Sequence, residues 1–251
     1  MTVDSIVVTG ACGVIGEAFV RRAHARGHHL VLTDVRIDAL EHLQESCQLR
    51  KEATTLLAGD LRDEAFVEEV IMAARTSRRL AATVNVAGIH GPVGASPNVA
   101  LDDFRQTLEI NVLALTKLCQ LSIAEFVATD THGRIVNIAS GAAISGASFM
   151  MSYNCSKHAV LGVTRCLAKE FATHGITVNA VCPGYVASEM VDHILQRIDE
   201  TVGVPFDPIP TIPAGRMAMP DEIANVIEYL TFDAPDYLTG TAMLVDGGLY
   251  A

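Results

Sequence analysis

Tyr153 and Lys157 stand four residues apart in Met151-Ser152-Tyr153-Asn154-Cys155-Ser156-Lys157. On a helix that spacing puts both side chains on one face, so a phenol and an ammonium address the same small volume. A free tyrosine has a pKa of about 10 and accepts protons poorly at neutral pH. A cation within roughly 4–6 Å favours the phenolate and lowers that value. An acid/base catalyst works best with its pKa near the operating pH. The chemistry this pair could do is therefore proton transfer by Tyr153, tuned by Lys157. Alone, such a pair is common on exposed helix faces; its meaning depends on what positions it.

The positioning elements begin at the N-terminus. Ser5-Ile6-Val7-Val8-Thr9 is a short β-branched apolar run and reads as a buried parallel strand. Thr9-Gly10-Ala11-Cys12-Gly13-Val14-Ile15-Gly16 follows, and then Ile15, Phe19 and Ala23 recur at helical intervals. Strand, glycine-rich turn and helix in that order form a phosphate cradle. The backbone can approach an anion there, and the helix N-terminus offers it free N–H groups. The cradle would be built from Gly10, Cys12, Gly13, Val14, Ile15 and Gly16. Asp34 ends the next apolar run, 18 residues after Gly16. An acid about 20 residues beyond the glycines is placed to bind a ribose 2′-hydroxyl and to repel a 2′-phosphate. This favours NAD over NADP. Arg36 argues mildly the other way.

Apolar runs at 5–9, 29–33, 53–58, 81–86, 134–139, 176–182 and 242–245 read as seven strands, with helical periodicity between them. Long helices are expected at about 101–128 and 152–173, the second carrying the Tyr153/Lys157 pair. The pattern predicts an α/β fold of Rossmann type: a doubly wound, seven-stranded, mainly parallel sheet with helices on both faces. Residues 1–251 are expected to form one dinucleotide-binding and catalytic domain, with a substrate loop at about 189–216.

From the glycine loop to the C-terminal Asp246-Gly247-Gly248, the chain resembles the short-chain dehydrogenases/reductases, in their compact branch of about 250 residues. The resemblance implies a catalytic tetrad of Asn111, Ser140, Tyr153 and Lys157. Ser140 ends Asn137-Ile138-Ala139-Ser140, 13 residues before Tyr153, and Asn111 lies in Glu109-Ile110-Asn111-Val112. It further implies that Asp60 and Leu61 lie at the adenine and that Val86, Ala87 and Gly88 line the cofactor. Pro183, Gly184, Val186 and Ser188 would cover the nicotinamide, where Tyr153 and Lys157 also contact the cofactor. Two positions depart from the family pattern. The middle glycine is usually one residue later, where this chain has Val14. Asn85-Val86-Ala87-Gly88 has valine where asparagine usually repeats. The activity implied is hydride transfer between NAD(H) and a secondary alcohol or ketone. An NADPH-dependent 3-oxoacyl or polyketide ketoreductase is the nearest alternative. A non-catalytic NAD-binding redox sensor is a further one, opposed by the presence of both Tyr153 and Lys157.

A net charge of −11 argues against a nucleic-acid partner. No apolar stretch reads as approaching the ~20 residues of a membrane span. Six cysteines without a C-x-x-C pair suggest reduced thiols in a cytoplasmic protein. Nine histidines without an H-E-x-x-H pattern suggest no metal site. In the segment 189–216, apolar residues at 191, 194, 195 and 198 have helical spacing. They suggest a lid with an apolar inner face, and so a mainly apolar small-molecule substrate. Apolar residues on the two long helices, including Leu115, Leu118, Val160 and Leu161, and the apolar tail Leu249-Tyr250-Ala251 suggest a homotetramer with the tail docked on a neighbour.

Overall fold

The computed structural model describes residues 4–251. Seven strands form a single, wholly parallel sheet in the order β3-β2-β1-β4-β5-β6-β7. They are β1 (Ser5–Thr9), β2 (His29–Asp34), β3 (Thr54–Ala58), β4 (Leu80–Asn85), β5 (Arg134–Ile138), β6 (Thr177–Pro183) and β7 (Ala242–Val245). Strands β1 and β6 are buried throughout and β4 at all but Ala81, which is why they read in sequence as apolar runs. Helices α1 (Val14–Ala25), α2 (Ile37–Ser46) and α8 (Pro220–Glu228) cover one face, packing Phe19, Leu40 and Ile223 into one core. Helices α3 (Glu64–Ser77), α5 (Leu115–Ala128) and α6 (Met151–Phe171) cover the other, around Val67, Leu118, Phe126 and Val160. Helix α4 (Leu101–Leu108) precedes α5, and α7 (Glu189–Val202) follows β6.

The order reverses between β1 and β4, whose carboxyl ends therefore open a crevice. Ligands of open parallel sheets bind at such switch points. Polar side chains bridge the strands and helices nearby. Asn85 Nδ2 donates to Asn137 Oδ1 at 2.8 Å, Asn137 Nδ2 donates to Thr164 Oγ1 at 3.0 Å, and Thr83 and Ser122 hydroxyls meet at 2.7 Å, all buried. Buried amides and hydroxyls are costly unless paired, so these bonds tie β4, β5, α5 and α6 to one alignment.

Two expectations change here. The stretch Leu101–Ala128 forms a 28-residue helical segment that contains an 18-residue window of mean hydropathy 1.4, long and apolar enough by composition to cross a membrane. Its apolar residues Leu115, Leu118, Cys119, Ile123 and Phe126 instead fill the core against the sheet. Likewise Leu115, Leu118, Val160 and Leu161 are buried within the chain, so they cannot supply a mating surface between subunits. On these helices Leu101, Leu113, Val127 and Met151 are exposed, and Leu108, Val112, Val163 and Leu167 are partly exposed.

Candidate active site

The glycine loop connects β1 to α1. Gly10 has φ +61°, and a Cβ there would stand 2.7 Å from the Ala87 backbone. A Cβ on Gly16 would run into the Gly10 carbonyl. Both positions are thus closed to any side chain, because α1 and the β4 loop press directly on the turn. Gly13 differs: it is exposed, and a Cβ there would find only the Gly10 carbonyl, at 3.5 Å. It occupies the N-cap of α1 without a side-chain cap. The first N–H groups of that helix are left for an outside acceptor. Val14, the family's usual glycine position, is the exposed first residue of the helix.

Asp34 closes the other side of the cradle. Its Oδ2 accepts from the Cys12 backbone N–H at 3.1 Å and its Oδ1 from Val35 N–H at 2.8 Å. The carboxylate therefore faces the glycine loop. Burial and the nearby Asp34 charge push the Cys12 thiol up to about 12, so it stays protonated. Arg36 is exposed and lies 3.6 Å from Asp38. Asp60 is held by Arg62, whose guanidinium donates to it at 2.5 Å and keeps its carboxyl below the usual range. Leu61 is partly buried beside it. Val86, Ala87 and Gly88 leave β4 just above the loop, with Ala87 N–H donating to Thr9 Oγ1 at 3.2 Å. The residues present thus fit a dinucleotide: a cradle closed to side chains, a free helix N-terminus and an acid turned toward it.

Asn111 lies where the 101–128 segment departs from a regular helix. Residues Glu109–Ala114 form a π-helical turn between α4 and α5, a feature frequent at functional sites. The Asn111 amide is buried and spoken for. Its Oδ1 accepts from Ile89 N–H at 2.8 Å, and its Nδ2 donates to the Ile89 carbonyl at 2.8 Å and to Ser156 Oγ at 3.0 Å. Ser156 in turn donates to the Tyr153 carbonyl at 2.7 Å. Asn111 so joins the β4 loop to the helix carrying Tyr153. Ile89 and Ser156 were not singled out from the sequence, since neither type nor spacing marks them.

Ser140 follows β5, and its Oγ accepts from Ala142 N–H at 3.1 Å. Tyr153 and Lys157 lie on one face of α6, with the ammonium 5.6 Å from the tyrosine ring centre. Lys157 Nζ donates to the Ile138 carbonyl at 2.8 Å. Here the tuning expected from the spacing differs from what is observed. Burial raises the Tyr153 phenol above its ordinary value, and hydrogen bonding with Ser140 opposes it. Burial pushes Lys157 down to about 8. Desolvation disfavours the charged form of each and is the largest cause of both shifts. Beyond β6, Pro183 is buried and Gly184 meets the C-terminal turn, its N–H donating to the Val245 carbonyl at 3.0 Å. Val186 is buried, and Ser188 caps α7, accepting from Val191 N–H at 3.3 Å.

Helix α7 lies over this floor. Ile194 is its one buried residue and packs with Val93 and Met150 beside Phe149, Tyr153 and Ile198. His193 meets His90 at 3.2 Å between Nδ1 and Nε2, linking the helix to the loop after β4. The expected helical stripe at 191, 194, 195 and 198 is the less exposed side of α7. The C-terminal tail folds on its own chain: Tyr250 N–H donates to Asp246 Oδ2 at 3.0 Å.

A family model described as enoyl-(acyl carrier protein) reductase matches residues 10–250. The chain is similar to the 3-oxoacyl-acyl-carrier-protein reductase of Rickettsia conorii, 31% identical over 99% of this chain and 98% of that one. Among solved structures it resembles levodione reductase, with TM-score 0.92, 28% identity and 99% and 98% of the two chains covered. It also resembles an actinorhodin polyketide ketoreductase bound to NADPH, with TM-score 0.89, 29% identity and 98% and 97% covered. An NADPH-bound relative means that the fold takes NAD(P), and membership alone does not select NAD. With nearly its whole length matched, the chain belongs to the short-chain dehydrogenase/reductase superfamily and is an oxidoreductase.

Proposed function

We propose that this enzyme moves a hydride between a mainly apolar secondary alcohol or ketone and NAD(H), with Asn111, Ser140, Tyr153 and Lys157 as its working residues. The reading rests on one observation: Ser140, Tyr153 and Lys157 converge at the carboxyl edge of β5, facing the crevice above the glycine loop. The bound nicotinamide would supply or accept the hydride. Tyr153 exchanges the proton of the substrate oxygen. Its raised pKa keeps the phenol protonated at neutral pH, which suits donation to a ketone oxygen. Ser140 hydrogen-bonds that oxygen and steadies the charge developing there. Lys157 would bind the nicotinamide ribose, and Asn111, which joins the loop to α6, would hold a water that links Lys157 to solvent. Gly10, Gly13 and Gly16 admit the pyrophosphate, and Asp34 receives the adenine ribose. The residues 189–216 act as the substrate loop, with Ile194 and Ile198 as its apolar inner side.

A 3-oxoacyl or polyketide ketone reduced with NADPH is the second reading, favoured by exposed Arg36 beside the ribose position. An activity screen of small ketones, 3-oxoacyl thioesters and alcohols with NADH and NADPH tests both. Higher kcat/KM with NADH on unconjugated ketones is expected; higher kcat/KM with NADPH on 3-oxoacyl thioesters would install the second reading. A homotetramer is proposed as well, and light scattering coupled to size exclusion should exceed the 26.8 kDa of one chain.

A further inference from the structure

The C-terminal residues reach further into the molecule than a chain end needs to. Asp246 organises a tight turn: its Oδ1 accepts from Gly248 N–H at 3.0 Å and its Oδ2 from Tyr250 N–H at 3.0 Å. Gly247 and Gly248 have φ of +64° and +87°, which lets the chain double back. The turn delivers the Cε2–Cδ2 edge of the Tyr250 ring against Gly141. A Cβ built on Gly141 would collide with Tyr250 Cε2 and stand 2.8 Å from its Cδ2. Gly141 is buried, and it separates Ser140 from Ala142, the residue whose N–H fixes the Ser140 hydroxyl. The Ala143 N–H donates to the Ser140 carbonyl at 2.9 Å, so residues 140–143 form one short turn with the tyrosine ring as its outer wall.

The same tail also supports the neighbouring loop. A Cβ on Gly184 would lie 2.9 Å from Asp246 Cα and Cβ. One aspartate therefore packs its Cα and Cβ against the loop after β6, while its carboxylate holds the backbone N–H of the tyrosine that backs Ser140. We propose that Tyr250, held by Asp246, is a positioning residue that fixes the Ser140 turn, so that the C-terminal tail sets the aim of the Ser140 hydroxyl. This rests on the role given to Ser140 above. The contact is made by the ring carbons and not by the phenol hydroxyl. A displacement of about 1 Å in an aligned group can cost on the order of 100-fold in rate, so loss of the wall should be visible.

Amide hydrogen exchange on the full-length free chain gives a readout that needs no substrate. Tyr250→Ala is expected to speed exchange of the Ala142 amide about tenfold or more, leaving amides 154–160 of α6 unchanged. Tyr250→Phe should behave as wild type. With ethyl acetoacetate as probe ketone, kcat of Tyr250→Ala should fall about tenfold while the NADH dissociation constant moves less than about twofold. Gly141→Ala should be damaging alone and milder in the Tyr250→Ala background, where the ring no longer blocks the new methyl. Should Tyr250→Ala fail to fold, Tyr250→Leu keeps apolar cover without a flat ring and is read the same way. Unchanged exchange at Ala142 in the folded variant would overturn the proposal. Ser140→Ala, run in parallel, separates the two levels. Wild-type kcat in Ser140→Ala would remove the site assignment itself, whereas an inactive Ser140→Ala beside an unaffected Tyr250→Ala would remove only the role of the tail.

Discussion

The floor of the crevice and the helix above it are built on opposite principles. In the floor, Asn111 makes three hydrogen bonds and Lys157 one, all to groups on other elements or neighbouring turns, and both residues are buried. In α7 one residue of fourteen is buried, and the segment that follows carries exposed Val204, Phe206 and Ile209. Beyond Ser188, the helix is tied to the floor through the small Ile194 cluster and the His90–His193 contact. A region with few buried apolar contacts opens at low free-energy cost. The difference teaches that reaction type and substrate choice reside in separable parts. The floor holds polar groups in fixed directions, and on the proposed function α7 needs only to cover an apolar molecule and release it.

The sharpest way to break this comparison is Tyr153→Phe. Removing the acid/base group should lower kcat by roughly 10²–10⁴-fold, with NADH binding by fluorescence titration nearly unchanged. Retention of most of the activity would mean that the floor does not carry the chemistry. Asp34→Ser should have the next largest effect, moving the kcat/KM ratio for NADH over NADPH by about ten- to a hundredfold toward NADPH, as expected when a carboxylate that would repel the 2′-phosphate is removed. Steady-state kinetics with both coenzymes decides, and a wild type already faster with NADPH would refute the premise. On the lid, Ile194→Ala should raise KM for an apolar ketone by about tenfold, with kcat within about twofold, because a hydrophobic pocket loses mainly uniform binding. A large fall in kcat alone would place α7 among the chemical machinery and erase the contrast.

The smallest effect is a fraction of a proton. Lys157 in the free enzyme is pushed down to about 8, so near pH 8 it is half neutral. A dinucleotide that accepts a hydrogen bond from the ammonium favours its charged form and raises its pKa. Binding at pH 8 should then take up protons, seen calorimetrically as a binding enthalpy that changes with the ionisation heat of the buffer. The uptake should fade below pH 7, where Lys157 is already charged, and vanish in Lys157→Met. Equal uptake in that variant would assign the proton elsewhere.

Much of this architecture can be read from the chain because buried parallel strands are written as apolar runs. All seven fall within about one residue of their expected places, from Ser5–Thr9 to Ala242–Val245. The glycine loop is equally readable, since Gly10 and Gly16 occupy places that no side chain fits. What stays hidden depends on three-dimensional surroundings. Spacing puts Lys157 beside Tyr153 but says nothing of how deeply both are buried, and burial reverses the expected direction for the phenol. The apolar residues of α5 and α6 could have faced a partner or the sheet; helical periodicity alone does not choose, and the sheet takes Leu115, Leu118, Val160 and Leu161. Tyr250 has no local sign of its place, because its contact is with Gly141, over a hundred residues away.

The π-helical turn at Glu109–Ala114 has a consequence for how this gene can change length. A wide turn is equivalent to one residue inserted into an α-helix. Deleting any single residue from 109–114 would let the segment close into regular α-helix, with α4 and α5 keeping nearly their relative rotation, so the change would fall on the turn itself. Thr107 would keep its buried place, whereas the Asn111 amide, inside the turn, would be carried off Ile89. A one-residue deletion here should thus be far more damaging than one in the exposed 203–207 stretch after α7, although both remove the same length of chain.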